Sequence, residues 1–405
     1  MSVAAQEGGS VYSRYGIGYI QNTHSGRRLG MGGLGIAVAD EDYINFLNPA
    51  GWYKLQQTRL ELGFTYDGIE LDDGKQQARH SDASLSGLTI GFPVDRDYGI
   101  TFSFGLVPVT NVSYDVLGTE SYHLNVDIED DYVVSYSGKG GLSQVYLGMT
   151  YKTPFDIILG ATYEYFVGKI EYITALSFTN SDIFTDVDYT STKSYYGPGA
   201  TFGLISNDFA PVFGFDNIEN LRVGLIYTLY ADLNTDTTLS STSIAGLIEH
   251  EDGTVKTKIP ARFGAGVSFT WKKNYLFLLD YLYQPWSEYR YNNIPDLNLK
   301  NQHRLSLGFE YRNVDKRSKD SFWEQFDLRG GLSFEDSQYQ AFGENIKQMM
   351  LHFGFSFPIG NFNTVDIGLA YGFRGKTGSN LIRENIFRGT VSVSLGELWF
   401  VREER

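Results

Sequence analysis

The sequence predicts an all-β protein, a 14-stranded antiparallel transmembrane β-barrel with an N-terminal hatch inside its lumen. Three observations lead to this prediction. Apolar and polar residues alternate along much of the chain, which is the period of a strand with two different faces. Many alternating runs last about ten residues or more, which suits an oblique bilayer crossing. Tyr and Trp residues lie near the ends of the runs, as in the aromatic girdles of membrane proteins.

Composition excludes several classes of function. The 405 residues include no Cys, which rules out disulfide scaffolds, thiolate zinc sites, iron–sulfur clusters and cysteine nucleophiles. The net charge is −15, whereas a nucleic-acid partner requires clustered Lys and Arg, so no nucleic acid is expected. No stretch approaches the length of an apolar membrane-spanning helix. A barrel strand needs only every second residue to be apolar, which fits the 42% hydrophobic content.

The character of the two strand faces separates a membrane barrel from a soluble sandwich. In the last predicted strand, Val391, Val393 and Leu395 share one face, and Ser392 and Ser394 share the other. A soluble sandwich alternates in the same way, but its strands are usually only about 5–6 residues long. The longer runs here repeat from residue 59 onward. They favour an apolar face toward lipid and a polar face toward a lumen.

The strand count follows from parity. The alternation predicts fourteen spans: 59–70, 82–94, 97–112, 140–153, 155–172, 190–206, 221–235, 257–271, 275–288, 302–313, 325–337, 347–359, 363–375 and 385–399. A fifteenth apolar stretch, 122–136, competes for inclusion. An odd count would separate the two chain termini across the membrane, whereas bacterial single-chain barrels have even counts. We therefore assign 122–136 to a large extracellular loop.

This count also sorts the connections by length. The tight connections fall on one side, expected to be periplasmic: 93–97, 152–156, 272–274 and 358–362. The long connections fall on the other side: 113–139, 173–189, 236–256 and 289–301. Two periplasmic connections, 207–220 and 314–324, are longer than is usual on that side.

The amino-terminal region does not alternate, so we predict a hatch over residues 1–56 and a barrel over residues 57–405. The lumen of a fourteen-stranded barrel is too wide for its own side chains to fill. A compact segment inside it would solve that problem, and glycines would let its backbone lie close to the wall. The candidate hatch residues along the transport path are Gly30, Gly32, Gly33, Gly35, Asn48, Pro49 and Ala50.

Pro108 lies within the third predicted strand, a few residues after Phe104 and Gly105. A proline cannot donate to the strand ladder, so it forces a bulge, a kink or a gap in pairing. One interpretation is that the strand leaves the membrane at this point. The other is a wall interruption near Phe104, Gly105 and Pro108 through which an apolar solute leaves sideways.

Other motifs carry little chemistry. Gly30, Gly32 and Gly35 match the dinucleotide-binding spacing, but no helix or parallel sheet accompanies them. The six His residues show no metal-ligand spacing. Acidic clusters at 127–131 and 249–252 could hold calcium, although such runs are commonly solvated faces. No Ser–His–Asp arrangement has a local signature. We therefore predict no enzyme activity, no cofactor and no metal.

Segments at both ends of the chain resemble the FadL family of outer-membrane transport proteins, in its Bacteroidota-type branch. The amino-terminal resemblance lies in residues 12–18 (YSRYGIG), 28–37 (RLGMGGLGIA) and 48–50 (NPA). The carboxyl-terminal resemblance lies in Glu384-Asn385, residues 392–395 (SVSL) and residues 399–402 (WFVR). The similarity covers essentially the whole chain, and the barrel strands match in pattern only.

The resemblance implies an outer-membrane channel of a Gram-negative bacterium for passive uptake of hydrophobic small molecules, such as long-chain fatty acids or aromatic hydrocarbons. Asn48, Pro49 and Ala50 would belong to the hatch, and Pro108 to a kinked third strand at a lateral exit. The expected partners are the hydrophobic ligand, lipid or detergent, outer-membrane lipids, and the barrel-assembly machinery during biogenesis. The alternative is a non-transporting FadL-fold scaffold or binding subunit of an outer-membrane secretion or assembly complex. Type IX secretion uses the fold in that way, and the partner would then be a secretion-complex protein.

Overall fold

The alternating runs of the sequence form long strands, and each wall strand pairs with its neighbours along the chain. The computed structural model describes residues 3–5, 9–125, 128–178, 185–243, 246–313, 325–360, 362–378 and 381–397. In chain order the strands are β1 (Val3–Ala5), β2 (Tyr19–Ile20), β3 (Thr58–Asp72), β4 (Gln77–Asp95), β5 (Ile100–Pro108), β6 (Thr110–Asn125), β7 (Ile128–Lys152), β8 (Ile158–Phe178), β9 (Val187–Ile205), β10 (Ile218–Tyr230), β11 (Leu233–Ser243), β12 (Gly246–Lys258), β13 (Arg262–Trp271), β14 (Tyr275–Gln284), β15 (Arg290–Tyr291), β16 (Ile294–Pro295), β17 (Gln302–Tyr311), β18 (Asp327–Ala341), β19 (Glu344–Ile359), β20 (Asn363–Arg374) and β21 (Arg383–Glu397).

The wall is a closed antiparallel ring with fourteen strand positions, which confirms the predicted fold class. Three positions consist of two successive strands each, namely β5 with β6, β10 with β11 and β12 with β13. The last wall strand, β21, pairs with the first, β3, from Arg383↔Asp72 to Glu397↔Thr58. All fourteen predicted spans fall on these positions, although the last span, 385–399, runs beyond the described residues.

The stretch 122–136 is left out of the count as predicted, but it is not an irregular loop. It belongs to a long hairpin in which β6 and β7 stay paired from Val112↔Gly140 to Asn125↔Ile128. The long connections expected at 173–189 and 236–256 are likewise largely paired extensions of β8, β9, β11 and β12. Strand-favouring residues such as Val133, Val134 and Tyr136 continue the ladder past the wall.

In the described ranges, helical structure is confined to short elements. The helices are α1 (Gly26–Gly30) and α2 (Ala210–Phe213), and single 3₁₀ turns cover Val11–Arg14, Pro49–Lys54 and Trp286–Glu288. Helix α2 lies in the connection 207–220, whereas the connection 314–324 lies outside the described residues. None of the described helices is long and apolar enough to cross a membrane.

The two ends of the barrel differ in their connections. The short-turn end carries turns such as 96–99, 153–157 and 272–274, and the hairpin end carries the long β6–β7 and β8–β9 extensions beside the short turns 73–76 and 342–343. At the short-turn end, residues 272–274 join β13 to β14, and Lys272 and Lys273 in this turn take left-handed φ values of 47° and 63°. Trp271 and Tyr275 flank this turn with ring centroids 5.4 Å apart. This pair is part of the aromatic residues expected at a membrane interface.

Alternation along the strands places apolar side chains outside and polar side chains inside. In β19, Leu351 is 61% exposed on the outer face, whereas the adjacent His352 is 3% exposed on the inner face. In β18, Leu328 is exposed and Arg329 is fully buried. A soluble sandwich would bury its apolar faces instead. The observed arrangement is that of a barrel with a lipid-facing surface.

Candidate functional site

The amino-terminal segment, residues 9–57, packs against the inward face of the wall. Helix α1 lies against β19, β20 and β21, and the 3₁₀ turn Pro49–Lys54 lies against β7, β8 and β9. The Ser25 hydroxyl caps α1 by accepting a hydrogen bond from Arg28 N at 3.3 Å. The Gly26 amide donates to Ser392 Oγ of β21 at 2.9 Å. The segment is therefore hydrogen-bonded to the polar side chains that the wall turns inward.

The glycines singled out in the sequence lie at close contacts with the wall. A Cβ added to Gly30 would lie 2.8 Å from the Cα of Gly354 in β19. A Cβ on Gly32 would lie 2.3 Å from Ser306 Oγ, and the φ of Gly32 is 82°. Gly33 takes a φ of 87° and faces the Arg304 guanidinium. These positions combine a left-handed backbone or a close approach with no room for a side chain.

Gly35 lies where the segment turns along β14. Its amide donates to Asp280 Oδ2 at 2.8 Å, and the Ile36 amide donates to Asp280 Oδ1 at 3.0 Å. The Asp280 side chain points inward from β14 and is buried. One wall carboxylate therefore fixes two consecutive backbone amides of the segment, the arrangement of a small anion-binding nest.

Asn48, Pro49 and Ala50 lie against wall glycines. The Asn48 amide group donates to the Ile36 carbonyl at 2.7 Å and to the Leu204 carbonyl of β9 at 3.3 Å. Its Oδ1 accepts from the Ala50 amide at 3.0 Å, which starts the 3₁₀ turn. A Cβ on Gly203 would lie 2.0 Å from Asn48 Oδ1. The Asn-Pro-Ala sequence and a wall glycine therefore form one tight contact.

A buried ionic cluster joins the segment to three wall strands. Arg27 donates from Nη2 to Asp40 Oδ1 and from Nε to Glu310 Oε2, each at 2.9 Å. Arg329 donates from Nε to the same Glu310 oxygen at 2.6 Å and from Nη1 to Asp366 Oδ1 at 3.2 Å. All five side chains are buried. Their mutual pairing offsets the high cost of taking charges out of water.

Burial and charge set the protonation of titratable groups in the amino-terminal segment. Although burial raises it, the guanidiniums of Arg27 and Arg312 hold the pKa of Asp40 below its usual range, so Asp40 is ionised. Burial lowers the pKa of His24 to about 4, so this imidazole is neutral at pH 7. Neutral His24 is paired through Nδ1 with the Ser86 carbonyl at 2.9 Å. Burial also raises the pKa of Tyr43, whose hydroxyl donates to Asp366 Oδ1 at 3.0 Å.

Above the ionic cluster, toward the hairpin end, lies a continuous apolar cluster. The amino-terminal segment contributes Val11, Tyr12, Ile17 and Ile20. The wall and its connections contribute Leu71, Val112, Tyr114, Val116, Leu142, Phe166, Ile170, Tyr195, Leu233, Ile259, Trp286, Tyr289, Leu299, Tyr339, Ala341, Ile346, Leu381 and Ile382. Tyr12 and Tyr339 stack with ring centroids 6.2 Å apart. This end of the lumen is packed with the protein's own apolar side chains.

The wall is interrupted at the third position, where Pro108 ends β5. Strand β5 pairs with β4 only as far as Leu106↔Leu88. On the other side, the register with β7 shifts between Pro108↔Ser143 and Val112↔Gly140, so one extra residue bulges out. Beyond this bulge β6 pairs with β1 and β2 instead of with β4. We call the resulting gap between β4 and β6 the seam.

The side chains behind the seam are mostly polar. A cavity of about 40 Å³ lies there, lined by Gly9, Ser10, Ser13, Tyr19, Gln21, Asp67, Ile69, His80, Asp82, Asn111, Ser113, Arg374, Ile386 and Arg388. Of the other residues predicted at this place, Phe104 is exposed on the outer face and Gly105 is buried on the inner face. The wall interruption lies just beyond them, at Pro108 and Val109.

A larger cavity of about 510 Å³ opens at the short-turn end. Its lining includes Lys54, Glu219, Arg222 and Arg312, and it reaches the ionic cluster at Glu310. The lining mixes positive and negative side chains, so it presents no single charge to a ligand. Within the described ranges, no group of three or more His, Asp or Glu side chains is arranged to hold a metal ion. The side chains of the acidic cluster 127–131 lie outside the described residues.

The inward charges follow from the local sequence pattern, whereas their pairing does not. In the sequence, Glu310 and Arg329 fall on the polar faces of two alternating runs, which indicates that they point inward. Arg27 and Glu310, however, are 283 positions apart in the chain. No local pattern reports a contact over that separation. Likewise, Pro108 predicts an interruption but not that β4 is the neighbouring strand whose residues 77–87 have no strand partner among the described residues.

Comparisons with known proteins agree with this architecture. The chain is similar to the CymD monoaromatic hydrocarbon channel, with TM-score 0.61, 17% identity, 95% of this chain covered and 100% of that chain. It is similar to the Ralstonia pickettii toluene transporter TbuX, with TM-score 0.60, 14% identity and coverage of 93% and 99%. It is also similar to a Pseudomonas aeruginosa FadL homologue, with TM-score 0.59, 11% identity and coverage of 93% and 98%.

These likenesses confirm the FadL-type fold that the sequence resemblance predicted, and at such low identity they show the fold alone. No curated protein matches the sequence. The BamG family model matches residues 1–404, which is all but the last residue. The chain therefore belongs to the BamG family.

Proposed function

We propose that this protein is a non-transporting, FadL-fold subunit of an outer-membrane assembly complex in a Gram-negative bacterium. The observation that carries the proposal is the apolar cluster at the hairpin end of the lumen. Val11, Tyr12, Ile17 and Ile20 of the amino-terminal segment pack there against wall residues such as Tyr339. An apolar solute entering from that end would have to displace these side chains. The space that a hydrocarbon needs is thus occupied by the protein itself.

The ionic cluster supports the same proposal. A solute that passed the apolar cluster would next meet Arg27, Glu310 and Arg329, which are all buried and paired. Separating a buried ion pair leaves uncompensated charge, at a cost of about 3–5 kcal/mol. Burying a hydrocarbon recovers about 25 cal/mol per Å² of its surface, but a hydrocarbon carries no group that can pair with the separated charges. The ionic cluster therefore holds the amino-terminal segment against the wall.

In this proposal residues 1–56 form the hatch and residues 57–405 form the barrel. Gly30, Gly32, Gly33 and Gly35 allow the hatch backbone to dock, and the Asn48-Pro49-Ala50 contact anchors it to β9. The name of the BamG family points to the barrel-assembly machinery, which fits a partner protein in the same membrane. The outer apolar surface supports contact with outer-membrane lipids.

Two measurements on the whole protein test this proposal. Affinity purification from native outer membranes should recover it in a fixed stoichiometry with a barrel-assembly protein, and its depletion should lower the amounts of other outer-membrane barrels. Vesicles that contain the purified protein should take up labelled toluene at the rate of empty vesicles. A monodisperse protein without partners, whose depletion leaves other barrels unchanged, would contradict the proposal.

The second candidate is passive transport of hydrophobic small molecules with lateral exit near Phe104, Gly105 and Pro108. The wall interruption at Pro108 favours it, as does a fold shared with proteins described as monoaromatic hydrocarbon channels and toluene transporters. In this case vesicles would take up labelled toluene or fatty acid faster than empty vesicles. The variant Pro108→Val, which permits a regular strand, should then lower that uptake. Background flux in both proteins removes this candidate.

A further inference from the structure

We propose that the seam-facing edge of β4, residues 77–87, takes up an extended strand from a partner outer-membrane polypeptide by backbone hydrogen bonding. We call residues 77–87 the open edge. The inference rests on the proposed function as a subunit of an assembly complex, and it names the chemistry of the partner. The occupant is a strand with alternating apolar and polar residues.

The open edge is hydrogen-bonded on one side only. Toward β3 it is paired from Asp72↔Gln77 to Phe64↔Leu85. Toward the seam, β4 pairs with β5 only from Leu88 to Asp95, and no strand among the described residues pairs with 77–87. In a strand, alternate residues direct their N–H and C=O groups to opposite sides. About half of the backbone groups of the open edge therefore face the seam without a strand partner.

The opposite side of the seam is satisfied by the chain itself. Strand β1 pairs with β6 from Val3↔Gly118 to Ala5↔Val116, and β2 pairs with β6 at Thr110 and Asn111. Between these pairings, Ser13 Oγ accepts from the Ser113 amide at 3.2 Å. Strand addition is thus the way in which this protein already satisfies one edge of the seam. Within the part of the chain that the structure describes, the edge of β4 along residues 77–87 has no such strand partner.

The level of the open edge explains why it needs a partner. Ala83 pairs with Tyr66, and Ser81 pairs with Gly68. Gly68 in turn pairs with Phe387 of β21. Tyr66 and Phe387 are both exposed on the outer face. These aromatic residues mark the level of the membrane interface, where backbone groups lose access to water and unpaired ones become costly.

The chemistry of the seam suits a polypeptide better than an acyl chain or a hydrocarbon. Its inner lining is polar and charged, with Asp67, Asp82 and Arg388 facing the cavity of about 40 Å³. His80 also lines this cavity, and its Nε2 is buried without a hydrogen-bond partner among the described residues. A strand supplies regularly spaced donors and acceptors along the edge, which lipid tails lack. Its inward side chains would face the polar lining.

An occupant that continues the antiparallel wall has a defined direction. An antiparallel partner of β4 runs in the same direction as β5 and β6, because β4 and β5 are antiparallel. It therefore occupies the place that the third wall strand would fill in an uninterrupted barrel. Its apolar residues point outward beside Ala83 and Leu85, and its polar residues point inward beside Asp82 and Ser84. This is the pattern of an ordinary outer-membrane strand.

The absence of Cys allows a direct crosslinking test on the full-length protein in lipid nanodiscs. The probe is a synthetic peptide with the sequence of residues 383–397, an outer-membrane strand of this chain, carrying one cysteine at its centre. Ala83→Cys places a thiol on the outer face of the open edge. Gly389→Cys is the matched control, because Gly389 of β21 and Ala83 of β4 both pair with Tyr66. A Cβ at Gly389 meets only ordinary contacts, the nearest at 3.5 Å.

We expect a disulfide between the peptide and Ala83→Cys, and none above background with Gly389→Cys. A peptide with the same side chains and alternate N-methylated amides should crosslink at least about tenfold less, since a few hydrogen bonds are lost. Ser81→Cys is a second variant on the same face in case Ala83→Cys does not give a heat-modifiable barrel. Equal yields at positions 83 and 389, equal yields with the N-methylated peptide, or no product at 81 and 83 in folded protein would overturn the inference.

The two proposals can fail separately. If the protein purifies with a barrel-assembly partner but the peptide does not crosslink at the open edge, the complex is formed by another surface. If the peptide crosslinks but no complex is recovered from native membranes, the open edge binds strands while the role in assembly is wrong.

Discussion

The hairpin of β3 and β4 has two edges, which differ in how far they pair with the next wall strand. The β3 edge pairs with β21 without a break from Arg383↔Asp72 to Glu397↔Thr58. The β4 edge pairs with the next wall strand only from Leu88 to Asp95. Both edges belong to one hairpin at one level of the membrane, so strand propensity does not explain the difference. What differs is the neighbour, since Pro108 ends β5 and β6 turns to the amino-terminal segment.

A barrel can thus be closed although its strands do not all obtain their backbone partners in the same way. At the β21–β3 closure, the wall supplies every backbone partner. At the seam, the amino-terminal segment supplies partners for β6, whereas no described strand pairs with residues 77–87 of β4. The amino-terminal segment is held in place away from the seam, by the ionic cluster and by the contact of Asn48 with β9. Substitutions in each region should therefore have different consequences.

The largest expected effect comes from proline substitutions at the closure. Phe64 pairs with Val391 on one side and with Leu85 on the other. Val391→Pro and Ser392→Pro each remove an amide that is paired to β3 or to β20, and each should prevent formation of a heat-modifiable barrel. Ser84 and Leu85 are consecutive residues of β4, so the amide of one of them faces the seam. The proline variant at that position, Ser84→Pro or Leu85→Pro, should still give a folded barrel. Loss of folding in all four variants would mean that the two edges do not differ.

The next largest effect is expected at the ionic cluster. Glu310→Gln leaves Arg27 and Arg329 without their shared carboxylate, which should cost about 3–5 kcal/mol in the free energy of unfolding. The matched control is Glu70→Gln in the hairpin of β3 and β4. Glu70 forms an ion pair with Arg79 at 3.0 Å, and the Arg79 side chain is largely exposed. That exposed pair should contribute less than about 1 kcal/mol. Chemical denaturation in detergent measures both, and equal losses would contradict a special role for the buried cluster.

A smaller effect is expected where the segment touches β9. Gly203→Ala brings a methyl group against Asn48 Oδ1. This close contact should lower the free energy of unfolding by about 1–3 kcal/mol. The control is Gly330→Ala, because a Cβ at Gly330 meets nothing within 4 Å. We expect faster trypsin cleavage within residues 9–57 for Gly203→Ala, and no change for Gly330→Ala. Similar cleavage in both variants would argue against tight docking at Asn48.

A further expected effect is a pH dependence at the side of the segment that faces the hairpin of β3 and β4. Burial lowers the pKa of His24 to about 4, below its ordinary value of about 6.5. The unfolded chain therefore binds this proton first, and the contribution of His24 to stability falls as the pH drops from about 6.5 to 4. The melting temperature of His24→Gln should fall less steeply over this interval than that of the wild type. Parallel curves would show that His24 does not titrate in this way.

Much of the fold could be predicted from the sequence because each barrel strand requires a local alternation of apolar and polar residues. Alternation in strands such as β20 and β21 identifies both the span and its lipid-facing side. Parity then fixes the count, and the exclusion of 122–136 follows from it. The paired extensions at the hairpin end were less visible, because their residues alternate without a lipid face to keep one side apolar.

The candidate site could be predicted only in part. The glycines and Asn48-Pro49-Ala50 stand out locally, since close approach and 3₁₀ capping require specific residues at specific places. Pro108 likewise marks the wall interruption. The ionic cluster depends on contacts between distant parts of the chain, and the open edge depends on strand register. Neither leaves a signature within a window of sequence.

Hydrogen exchange of the unmodified protein in lipid nanodiscs tests the contrast between the two edges most directly. Amides that are paired across the β21–β3 closure, in residues 383–397, should exchange slowly. Alternate amides in residues 77–85 should exchange much faster, because they face the seam without a strand partner. Uniform slow exchange along both edges would show that β4 is paired throughout, and it would contradict the account.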